Sequence, residues 1–65
     1  MWVVIHMIKG KEAADRISDR LKDENIFVRM RPVYKAVPPE ENYFELQVLK
    51  SELQEAREIL MELGL

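Results

Sequence analysis

The 65-residue chain reads as one α+β domain with the element order βαββα, in which three antiparallel strands in the order 2-3-1 carry both helices on one face. Three observations predict this. An opening apolar run rich in β-branched residues gives way, after a glycine, to apolar residues at three- and four-residue spacing. Two later segments alternate apolar and polar residues with the period of a half-buried strand. A second helical stripe follows, ending at a glycine.

The first strand spans residues 2 to 8. Trp2, Val3, Val4, Ile5 and Ile8 favour extended backbone, and the run is apolar at both parities, so both of its faces expect cover. Gly10 breaks it. From 11 to 24, Ala13, Ala14, Ile17 and Leu21 form one apolar stripe, with Glu12, Asp15, Arg16, Asp19, Arg20 and Lys22 opposite, which predicts an amphipathic helix. Asn25 is its expected stop, because asparagine tolerates the left-handed conformation that ends helices.

In residues 26 to 34, alternation places Ile26, Val28 and Met30 toward the helices and Phe27, Arg29, Arg31 and Val33 on the other face. Pro32 has no N–H to give to a ladder and predicts an edge strand, or one whose last residues leave the sheet. Residues 35 to 42, with Pro38 and Pro39, show neither period and read as a long connection. In residues 43 to 49, Phe44, Leu46 and Val48 point inward and Tyr43, Glu45 and Gln47 outward. Ser51 followed by Gln54 is a capping-box pattern that opens the second helix. Its stripe is Leu53, Ala56, Ile59, Leu60 and Leu63, and Gly64 ends it.

This order matches the first five elements of the ferredoxin-like βαββαβ arrangement, truncated before its last strand. In that topology the missing strand would pair with the first, so residues 2 to 8 form a free apolar edge, which invites another chain. Composition points the same way. A domain this small has a marginal core, and without any cysteine and with His6 as the lone histidine, neither disulfides nor a zinc site within one chain can reinforce it. Oligomerisation remains, and a homodimer is expected through the first strand, the open sheet face, or both. Trp2, Val4, His6, Ile8, Phe27 and Val33 are its expected interface residues.

Charge and patterning narrow the remaining classes. A formal net charge of -2 argues against a general polyanion binder. The opening apolar run is too short to span a membrane and lacks the preceding basic residues of a signal peptide, so a cytoplasmic protein is expected. Arg29 and Arg31 share a strand face from which their guanidinium groups can grip a carboxylate or phosphate, although pairing with Glu45 across the sheet is the simpler expectation. Arg29, Arg31, His6 and Lys35 together form the candidate anion site. Nothing pairs His6 with a nucleophile, and the glutamates are explained by loop and helix surface, so no catalytic residue, metal site or cofactor is expected. Ser18 is assigned to the surface of the first helix, and nucleic-acid binding through Arg29, Arg31, Lys35 and Tyr43 is the weakest of the binding readings.

The chain resembles a group of short bacterial proteins described as signal-transducing and related in structure to the nitrogen-regulatory P-II proteins. The likeness rests on the opening strand from Trp2 to Ile8, the helix with Ala13, Ala14 and Ile17, the segment from Ile26 to Val33, and the ending from Glu55 to Leu60. It is also similar, from Ala14 to Val28, to the ligand-sensing ACT domains, which bind amino acids at interfaces; the turn they use corresponds here to Ile8 to Lys11. These resemblances imply a regulatory or protein-interaction module, with a sensor of an anionic metabolite or amino acid as the alternative.

Overall fold

A computed structural model describes all residues, 1–65. Strand β1 (Trp2–Lys9) leads into helix α1 (Lys11–Asp23), followed by β2 (Val28–Pro32), β3 (Tyr43–Leu49), a 3-10 turn (Lys50–Glu52) and α2 (Leu53–Glu62). The sheet order is β1-β3-β2 with both pairings antiparallel, as the sequence predicts. No helix is long and apolar enough to cross a membrane.

The core sits between the inner face of β3 and the two helices. Phe44, Leu46 and Val48 from β3 pack with Ala14, Ile17 and Leu21 from α1, Ala56, Ile59 and Leu60 from α2, and Ile26 from the turn before β2. Val3, Ile5, Ile8, Val28, Met30 and Leu53 close its margins. Ser18, expected on the surface, is buried, since it lies one turn beyond Ala14 on the same side of α1. Arg20 links the helices, contacting Glu24 at 3.3 Å and Glu62 at 3.0 Å.

Both helices end as the sequence predicts. Asn25 adopts a left-handed φ of 64°, its N–H bonds to the Lys22 carbonyl, and the next N–H, from Ile26, reaches back to Leu21. This pairing is a Schellman motif, and Leu21 and Ile26 supply the apolar contact that accompanies it. Gly64 repeats the arrangement, with Gly64 N–H on Met61 and Leu65 N–H on Leu60. The expected capping box at Ser51 is absent. The chain leaves β3 through a 3-10 turn, so α2 begins after Glu52 and no side chain caps it. Glu52 instead accepts a hydrogen bond from the Phe27 N–H at 3.4 Å.

The largest departure from simple alternation lies in β1. Its register on β3 runs Trp2 to Leu49, Val3 to Val48 and Val4 to Gln47, then shifts, resuming at His6 opposite Leu46 and continuing with Met7 to Glu45 and Ile8 to Phe44. Ile5 is the extra residue of a β-bulge, so Ile5 and His6 together oppose Leu46. Directly opposed residues share a face, so the faces beyond Ile5 are exchanged relative to plain alternation. Ile8, expected on the open face, packs against the core, His6 takes the register of the inner face, and Met7 joins the open face.

β2 is shorter at both ends than the alternating segment, residues 26 to 34, that predicts it: Ile26 and Phe27 belong to the passage out of α1, and Val33 and Tyr34 to the connection with β3. Pro32 is its last residue and lies on an edge strand, as its missing N–H requires. The connection to β3 has a fixed shape. Asn42, only 3% exposed, accepts the Tyr34 and Tyr43 N–H groups at 3.2 and 2.7 Å and donates to the Tyr34 carbonyl at 2.8 Å. The Pro38 carbonyl accepts from Glu41 and Asn42, and the Pro39 carbonyl accepts the first helical N–H of α1, from Lys11. The loop therefore caps a helix whose own N-cap, Gly10, has no side chain to do so. Replacing Asn42 with Ala strands three backbone groups, and unfolding in urea should show a loss of about 2 kcal/mol, whereas a change below a few tenths would mean that the loop does not need this amide.

Candidate functional site

The sheet face turned away from the helices carries the most distinctive surface of the chain. β3 fixes its rows, because each outward residue of β3 has a neighbour on either side. Gln47 lies between Val4 and Arg29, and Glu45 between Met7 and Arg31. Trp2 is opposite Leu49 and Lys9 opposite Tyr43. Phe27 and Val33 flank β2, and the Val33 N–H holds the Tyr43 carbonyl at 2.9 Å. Across its middle the face is polar on β3 and β2, at Gln47, Glu45, Arg29 and Arg31, and apolar on β1, at Val4 and Met7.

Several of its apolar residues are open to solvent. Phe27 is 69% exposed, Val4 51% and Met7 52%, and Tyr43 and Val33 are also open to solvent. Aromatic, methionine and arginine side chains are the types enriched in protein interfaces. The Arg29 guanidinium carbon lies 4.9 Å from the centre of the Trp2 ring. Trp2 is on β1 and Arg29 on β2, so the two side chains meet across the central strand, and Gln47 below them is only 6% exposed. A cation–π contact of this kind on a surface contributes about 0.5–1 kcal/mol.

The simpler expectation for the arginines, pairing with Glu45, does not hold. Arg31 stands opposite Glu45 in the register, yet the ion pairs of the chain are Lys11 with Asp15, Arg20 with Glu24 and Arg20 with Glu62. Glu45 instead accepts from Gln47 Nε2 at 3.2 Å. Arg31 is left facing solvent and Arg29 is committed to the tryptophan.

The four residues of the candidate anion site do not converge within one chain. Arg29 and Arg31 lie on the open face, and His6 is half-buried opposite Leu46. Lys35 lines a separate groove of about 600 Å³ beneath the β2–β3 connection, walled by Met30, Pro32, Val37 and Phe44 and shared with Lys11, Tyr34 and Asn42. Sequence reading missed the groove, because Lys11 and Lys35 are brought together only by the folded loop. Of the expected interface residues, Trp2 and Val4 lie on the open face by register, Phe27 and Val33 are exposed just beyond the two ends of β2, and the bulge turns Ile8 inward and gives His6 an inner-face register.

Trp2 is the sole tryptophan, so its emission reports the contact with Arg29. Arg29→Ala should shift Trp2 fluorescence while lowering stability by no more than about 1 kcal/mol; an unchanged spectrum would mean that the two side chains do not stack in solution. Comparison with family models, with curated proteins and with solved structures finds no match for this chain.

Proposed function

We propose that this chain is a small protein-interaction or regulatory module that works as a homodimer. The observation that carries the reading is the continuity of two unsatisfied surfaces. β1 pairs on one side only, which leaves a row of free backbone N–H and C=O groups along its outer edge, and the open face beside that edge exposes Val4 and Met7. A domain that buries 13 of its 65 residues has little core of its own, so covering such surfaces is worth a large fraction of its stability. Sedimentation velocity from low to high micromolar concentration should give a species of twice the 7.7 kDa chain mass, and a monomer throughout would remove the reading.

A second reading, a sensor of small anionic metabolites, is favoured by the groove that holds Lys35. Its apolar wall suits the carbon skeleton of a ligand and its lysines a carboxylate or phosphate, although Lys11 is already held by Asp15 at 2.9 Å. A ligand at a hundredfold its Kd stabilises the fold by about 2.7 kcal/mol, which a thermal-shift screen of small carboxylates and phosphates detects. A stabilising compound should lose its effect with Lys35→Ala and keep it with the Arg29→Ala/Arg31→Ala pair. The opposite pattern would assign the ligand to the open face, and no stabilisation by any compound would count against the sensor.

A further inference from the structure

The bulge in β1 determines how two copies of its edge fit together. In a regular strand, faces alternate strictly, so antiparallel pairing of the strand with its own copy requires an axis through a residue. Centred on Ile5 here, such an axis would oppose Val3 to the partner's Met7 and Trp2 to the partner's Ile8, each pair joining an inner-face residue to an outer-face one. The bulge exchanges the faces halfway along β1 and removes this match.

The same bulge creates another. With the axis between Ile5 and His6, Val3 falls opposite the partner's Ile8, both on the inner face, and Val4 opposite the partner's Met7, both on the outer face. Ile5 opposes the partner's His6, both in the inner-face register, and Trp2 opposes the partner's Lys9 on the outer face. All eight residues of β1 then find a partner on the same face. The burial pattern is palindromic about this point apart from its ends, with Ile5 and His6 half-buried, Val4 and Met7 exposed, and Val3 and Ile8 half-buried.

From this symmetry we infer that β1 pairs antiparallel with β1 of a second copy about a two-fold axis between Ile5 and His6, giving a continuous six-stranded sheet in the order β2-β3-β1-β1-β3-β2. The inference rests on the homodimer reading and specifies its geometry. An independent feature fits it. An apolar groove of about 300 Å³, lined by Ile8, Ala13, Arg16, Ile17, Leu63 and Leu65, opens at the end of β1 where the partner's Val3 arrives. Joining the edges leaves Phe27 and Arg31, on the far side of each sheet, outside the contact.

The chain has no cysteine, so introduced thiols report the pairing directly. Directly opposed Cβ atoms lie about 4.5–5.5 Å apart, close to the span of a disulfide. Val4 and its own copy are offset by three residues, or about 10 Å. Under mild oxidation the V4C/M7C double variant should therefore form a covalent dimer, and V4C or M7C alone should not. Phe27→Glu, at an exposed position, should leave the dimer intact in sedimentation. A dimer that Phe27→Glu dissociates, and that V4C/M7C fails to lock, would overturn the edge pairing in favour of the open face while leaving the homodimer standing. A wild-type chain that sediments only as a monomer would remove both.

Discussion

The inner face of β3 is the constraint on which the rest of this domain depends. β3 is the only strand paired on both sides, and its Phe44, Leu46 and Val48 form the floor on which both helices rest. Because it is central, its strict alternation sets the face of every residue in β1 and β2 through the ladder. Hydrophobic burial and sheet register are therefore fixed by the same seven residues.

The cost of this economy is that the sheet has two edges and one uncovered face. β2 blunts its edge with Pro32 and with charged neighbours, whereas β1 has only the bulge at Ile5 and the terminal Lys9. A bulge twists a strand and disturbs its ladder, which discourages arbitrary partners. In the proposed dimer it also selects one symmetric register for a partner of identical sequence. The same local irregularity that disfavours arbitrary edge partners is the feature on which the proposed pairing turns.

The open face shows how surface chemistry follows from topology. Trp2 and Arg29 are separated by the rest of β1, all of α1 and the turn after it, yet the crossover from β1 to β2 sets them on either side of β3, close enough to stack. Gln47, nearly buried between them, donates to Glu45, and this carboxylate makes no ion pair with Arg31. A surface that looks in sequence like a row of paired charges is in the fold an aromatic and cationic patch with a buried amide beneath it.

Local rules acting within a few residues were sufficient for much of this protein. The sequence by itself determined the element order, the strand order, the inner face of β3, the helix stripes, the stops at Asn25 and Gly64 and the edge position of Pro32, because each depends on periodicity or on the conformational preferences of one residue. Tertiary structure decided the faces of β1: a run apolar at both parities contains nothing to mark a bulge, and only the register against β3 exposes it. It also decided the start of α2, where the geometry of the exit from β3 prevailed over the Ser51 capping pattern. The separation of Lys35 from Arg29 and Arg31 was settled the same way, since Asn42 folds the proline loop against the start of α1 through hydrogen bonds that no local pattern encodes. What remained illegible depends on pairing between distant segments, where the energy lies in the contact and not in either segment alone.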